Sequence, residues 1–218
     1  MEDDPPIAMF KLGEKEHMAQ LLNEGHVFMR PLLDFRAVEN SLPRLDPNEG
    51  LGYSMASEGA TLSMQHEGEW RTIGRLTGPI RADDRKLEKA NVYCLHTPRP
   101  TDYGRLLGLD RLGFGDSYVL FWDANEFLRR LTQAIIKVGL QPHYAVVKYV
   151  DKNSYAGPMG AFRKFSHYST QKELRVVALP GTGLPLSLYL GNLADIAIMG
   201  LANERLMLDT NAPTTESA

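Results

Sequence analysis

Cysteine is almost absent from this chain, with Cys94 the single one. One thiol cannot close an internal disulfide, so a reducing cytoplasm is expected rather than a secreted setting. The histidines His17, His26, His66, His96, His143 and His167 are scattered, with no pair three to five residues apart. Zinc-type ligand spacing is therefore missing. Gly-x-x-x-x-Gly-Lys-Ser/Thr does not occur, and the glycines from Gly104 to Gly115 do not fall between a strand and a helix at dinucleotide spacing. Walker and Rossmann chemistry are thereby excluded. No apolar run approaches the roughly eighteen residues of a membrane span. The opening Met-Glu-Asp-Asp-Pro-Pro has neither the basic nor the apolar region of a signal peptide, so no membrane partner is expected. A net charge of −3 gives no global case for nucleic acid or an anionic membrane, and nothing points to sequence-specific nucleic-acid binding.

What is present is ordinary for a globular protein: 43% hydrophobic and 23% charged residues over 218 positions, enough for one sizeable core. Residues 1–6 and 210–218 read as flexible tails around one domain at 7–209. The pattern predicts a strand over 7–12, a short amphipathic helix over 14–24 stopped by Gly25, and a strand over 26–31 ended by Pro31. A loop is expected at 41–52, then a hairpin with Glu67-Gly68 at its turn. An exposed connection (77–90) precedes a buried strand over 91–97, and 98–117 reads as a mobile loop. Strand 117–122 leads through Asp123, with Glu126 three residues on as in a capping box, into the helix 124–138. Strands over 142–150 and 184–190 complete the reading, with a helical turn at 192–196. The fold class is α+β, with a mixed, mostly antiparallel central sheet and flanking helices.

The stretch from Phe162 to Val177 stands out. A basic, aromatic approach runs into Gln171 and Glu173, then directly into an apolar strand. On a strand, Gln171, Glu173 and Arg175 project from one face and Lys172, Leu174 and Val176 from the other. That polar face is either the solvated side of an edge strand or a site with a rigidly held carboxylate. Arg30, at the end of an early strand, is a cation able to grip a phosphate or carboxylate. Arg36 and Glu39 are spaced to pair on a helix. Arg44, Asp46 and Glu49 either order the loop that follows or line a cleft. Cys94 reads as a small buried hydrophobe, and His96 ends its strand beside Thr97.

The order of these elements resembles a broad group of uncharacterised bacterial proteins. The resemblance runs through Phe35-Arg-Ala-Val-Glu39, Arg44-x-Asp46-x-x-Glu49-Gly50, a Cys-bearing strand, the strand-helix unit 118–131 and Val147-Lys-Tyr149. It closes on Phe162-Arg-Lys164 followed by Tyr168-x-x-Gln171-x-Glu173-x-Arg175. That group carries no activity to transfer.

A more remote resemblance is to the ADP-ribosyltransferase superfamily, whose Glu/Gln-x-Glu motif leads into an apolar strand as Gln171-x-Glu173 does here. It implies a split sheet, NAD as cofactor, and transfer of ADP-ribose to a macromolecular target, in a toxin or phage-defence setting. Glu173 would stabilise the oxocarbenium-like charge on the nicotinamide ribose. Gln171 would orient the acceptor, Arg30 would hold the diphosphate, and Tyr168 would stack on nicotinamide. His96 and Thr97 stand where the superfamily has Ser-Thr-Ser, a triplet this chain lacks. Gln in the first motif position is similar to members that modify nucleic acid bases or asparagine. The reading requires Arg30 and His96-Thr97 to meet Glu173, with Arg30 and Glu173 on one face and their side chains within roughly 10–15 Å. From a different class, a non-catalytic phage- or defence-associated binding or assembly protein requires Glu173 and Arg175 to form a surface or structural ion pair and no cleft to join Arg30 to Glu173.

Overall fold

The computed structural model describes residues 8–37, 45–57 and 60–209. The tails assigned to 1–6 and 210–218 lie outside them, as do Glu39 and Arg44. In chain order the elements are β1 (Met9–Gly13), α1 (Lys15–Glu24), β2 (His26–Pro31), β3 (Leu51–Met55), β4 (Thr61–His66), β5 (Glu69–Arg75), β6 (Ile80–Asp83) and β7 (Asn91–His96). They continue with β8 (Leu106–Leu107), β9 (Ser117–Phe121), α2 (Ala124–Lys137), β10 (Gln141–Val146), β11 (Lys148–Val150), β12 (Ala156–Pro158) and β13 (Arg163–Phe165). The last are β14 (Glu173–Leu179), β15 (Leu186–Tyr189), β16 (Ala197–Leu201) and β17 (Leu206–Met207).

The central sheet runs β10-β14-β7-β1-β9-β16, with β2 joined to both β7 and β15. Its pairings are antiparallel throughout. The parallel pair, β11 with β13, forms a separate two-stranded ribbon. The fold is α+β, and its strands are mostly antiparallel.

Alternation along the strands sorts the chain into two layers. Val27 and Met29 of β2, Tyr93 and Leu95 of β7, and Leu174, Val176 and Ala178 of β14 all face the core that α2 covers with Phe127, Leu131 and Ile135. α2 forms where expected, with Asp123 Oδ1 accepting from the Glu126 backbone N–H at 2.9 Å. It stops one residue early, leaving Val138 exposed rather than on the apolar face. α1 ends at Gly25, whose φ of 63° suits a residue without Cβ. A Cβ there would stand 2.3 Å from the Gly191 carbonyl oxygen.

Several local expectations are corrected. The 77–90 connection contains β6, which pairs with β3, a strand that begins at the last two residues of the expected 41–52 loop. The strand expected over 142–150 is two, β10 and β11, broken at Val147, whose N–H donates to the Glu173 carbonyl at 2.9 Å. Residues 98–117 hold short 3-10 turns and β8, with Leu109 buried among Leu12, Leu107 and Tyr118. Residues 194–196 are a turn leading into β16, an edge strand absent from the sequence reading.

Candidate functional site

β7 positions the site because its two edges differ. One edge is paired with β14 along its whole length, from Glu173↔His96 to Ala178↔Asn91. The other is shared: β2 pairs at Val92 and Asn91, and β1 at His96. Among the described residues, no strand is registered against Tyr93, Cys94 and Leu95 on that edge. The sheet splits there, with α1 connecting the two diverging strands. Lys11 reaches into the split, its Nζ donating to the Cys94 carbonyl at 2.9 Å and lying 4.0 Å from the Tyr93 ring centre. A backbone oxygen without a strand partner is thereby satisfied.

The split opens a cleft of about 530 Å³. Phe10, Phe28, Phe35, Tyr93 and Phe114 contribute aromatic wall, and His17, His26 and Arg30 line the β1–α1–β2 side. Glu49, Lys164, Gln171, Glu173 and Arg175 line the opposite side. Residues paired across antiparallel strands share a face, so the register Arg30↔Val92↔Val177 sets Arg30 on the same face as Arg175 and Glu173. Four residues along the strand and two strand spacings put the Arg30 and Glu173 Cα atoms about 17 Å apart. Among the described residues, no ion pair or hydrogen bond engages the Arg30 guanidinium.

The acidic end is a buried ionic network. Arg175, 1% exposed, donates through Nε to Glu173 Oε2 at 2.7 Å and through Nη1 to the Ala161 carbonyl at 2.6 Å. Its two terminal nitrogens meet Glu49 head-on, at 2.8 and 2.6 Å. Lys164 Nζ donates to Gln171 Oε1 at 2.8 Å and Glu173 Oε1 at 3.1 Å. It lies 3.8 Å from both Asp46 and Glu49. Burial alone would push the Glu173 carboxyl up, but Arg175 and Lys164 outweigh it and hold the group at about 2. Burial and the neighbouring Glu49 raise Asp46. Burial opposes the charge on Arg175, yet Glu173 and Glu49 keep it protonated.

The backbone of Glu173 is fixed as well, since its N–H donates to Tyr149 Oη at 3.0 Å. Burial lowers His96, favouring the neutral ring. Its Nδ1 lies 2.8 Å from the Gln171 carbonyl, which can only accept, so Nδ1 carries the proton.

Of the residues singled out from sequence, Arg30, His96, Gln171 and Glu173 line one cleft. Gln171 reaches it from the 3-10 turn Ser166–Gln171, not from a strand. Lys172 then takes a left-handed φ of 45° before β14 begins. Thr97 and Tyr168 do not line the cleft, so of the His96-Thr97 pair expected to meet Glu173 only His96 reaches it. Thr97 is buried, its Oγ1 donating to the Ala8 carbonyl at 3.2 Å. Tyr168, half-buried on the 3-10 turn, donates its hydroxyl to the Leu45 carbonyl at 2.9 Å, sets its ring 4.6 Å from Lys164 Nζ, and lines a neighbouring hollow with His167 and Arg111. β14 lies between β10 and β7, which rules out the solvated edge strand.

Lys164 had no role of its own in the sequence reading, Arg175 stood only as a neighbour of Glu173, and Asp46 and Glu49 were left between ordering their loop and lining a cleft; Glu49 does both, and the network that joins the four was not foreseen. The clue was an arginine inside Leu174-Arg-Val-Val-Ala-Leu179, since a charge in a buried strand requires partners. Among the described residues no group of three or more His, Cys, Asp or Glu side chains is placed to hold a metal ion. No helix there is long and apolar enough to cross a membrane. Comparison with family models, with curated proteins and with solved structures gives no match.

Proposed function

We propose that the cleft binds NAD and that the chain transfers ADP-ribose from it to a macromolecular acceptor, as its remote resemblance to ADP-ribosyltransferases implies. The supporting observation is that Arg30 and Glu173 share one face of a split sheet and line one cleft. Its volume, about 530 Å³, falls within the range of small-molecule sites. The lining suits a dinucleotide: cationic and imidazole groups for phosphate, aromatic wall for bases, and a carboxylate for ribose hydroxyls.

NAD supplies a glycosidic bond whose cleavage releases neutral nicotinamide and leaves positive charge on the ribose carbon. Arg30 pairs with the diphosphate. Glu173, already ionised and held by Lys164, Arg175 and Tyr149, presents fixed negative charge to that carbon and needs no reorganisation as the bond breaks. Each carboxylate oxygen retains a second lone pair for a ribose hydroxyl. The acceptor's nucleophilic atom forms the new bond to the ribose carbon and loses its proton to solvent or a neighbouring base.

Incubating labelled NAD and cell extract with wild type and with Glu173→Gln tests this reading. Label transfer by wild type and its loss in the variant are expected. Absence of transfer, binding and consumption of NAD in both overturns it.

One observation favours a second reading. Both Glu173 oxygens are engaged within the protein, as a structural ion pair in a binding or assembly protein would have them. On that reading Glu173→Gln lowers stability, and NAD binds to neither form.

A further inference from the structure

The β4–β5 hairpin is exposed at every residue of both strands. Trp70 is 70% exposed, Ile73 57%, Leu62 54% and Met64 53%. Two-stranded ribbons are marginal in water unless something packs on them. The register sets Trp70 opposite Gln65, and Met64 opposite Arg71, so Trp70 and the Leu62/Met64 pair fall on opposite faces.

Charge along the hairpin is segregated. Glu67 and Glu69 occupy the tip, and Arg71 and Arg75 the stem, with the near approach of Arg71 to Glu69 a loose, exposed 3.9 Å. Rotating a second hairpin by a two-fold axis and laying it antiparallel sets each acidic tip against the other's basic stem. Such a surface is complementary to itself, as a two-fold interface must be.

We propose that the β4–β5 hairpin is a dimerisation arm whose occupant is the same hairpin of a second copy of this chain. Two ribbons of about 20 Å in length and about 10 Å in width, laid face to face, bury on the order of 600–800 Å², below the size of stable specific interfaces, so the contact is weak. The dimer therefore dissociates on dilution.

Sedimentation velocity across a micromolar concentration series tests this. Wild type shifts from monomer to dimer mass. Leu62→Ser with Trp70→Ser stays monomeric, with an unchanged circular dichroism spectrum because the arm lies outside the core. Glu67→Arg with Glu69→Arg is also monomeric, and adding Arg71→Glu with Arg75→Glu restores the dimer. Wild type that remains monomeric throughout overturns the proposal, as does a dimer that persists in the Leu62/Trp70 variant. Failure of the combined charge reversal to restore the dimer overturns the tip-to-stem arrangement.

Discussion

Glu49 and Arg175, 126 residues apart in sequence, meet carboxylate to guanidinium in a two-pronged contact at 2.8 and 2.6 Å with both side chains buried. This contact ties the loop before β3 to the middle of β14. Removing one partner leaves the other charge buried, which typically costs about 3–5 kcal/mol. Glu49→Ala is therefore expected to lower the unfolding free energy by that order in a urea titration. A loss within experimental error would show that the pair does not hold the loop.

The network also sets an acid limit. Glu173 has its carboxyl held at about 2 against a reference of 4.5, so its contribution to stability is present above the unfolded value and is lost as pH falls through that interval. The difference corresponds to about 3 kcal/mol. Wild type is expected to lose stability between about pH 4.5 and 2, and Glu173→Gln to show a flatter profile there. Thermal melts across this range, with both proteins falling in parallel, would contradict it.

Asp46 has the opposite sign. Burial and Glu49 raise it, so the protonated form is favoured on folding, and this contribution fades as pH rises through the folded value. Asp46→Asn keeps an oxygen for the Asn48 backbone N–H, which lies 2.9 Å from Oδ1. The substitution is expected to be neutral or stabilising at pH 7 by thermal melt. A Tm drop of several degrees would overturn this account of the charge balance.

Cys94 lines the cleft, and burial followed by the Glu173 charge pushes its thiol up to about 11. Since the thiolate is the reactive form, native protein at pH 8 is expected to react with a thiol reagent roughly a hundredfold more slowly than unfolded protein. Saturating cleft ligand should slow the reaction further. Equal rates in native and denatured protein would contradict the burial.

Local features were legible wherever one short segment contained its own signal. Asp123 with Glu126, Gly25 after an apolar helix face, and Glu67-Gly68 between alternating strands each mark a boundary through nearby backbone geometry. The split could not be read this way, because it depends on where β1 and β2 leave β7, a matter of long-range register. β3, β6 and β16 were missed for the same reason: they are short and pair with distant segments. At the site, Gln171-x-Glu173 was visible as a pattern, whereas Glu49 and Lys164 acquire meaning only once folding carries them to Arg175 and Glu173. Tyr168 was assigned to the cleft by the family resemblance alone, and in the fold it lines the neighbouring hollow instead.

The most direct test of the central claim pairs NAD titration calorimetry with nicotinamide release for wild type, Arg30→Ala and Glu173→Gln. Wild type should bind NAD and release nicotinamide. Arg30→Ala should bind more weakly, and Glu173→Gln should retain binding while release falls by about 100-fold or more. No heat of binding with any of the three proteins, or release by Glu173→Gln at the wild-type rate, would contradict the account.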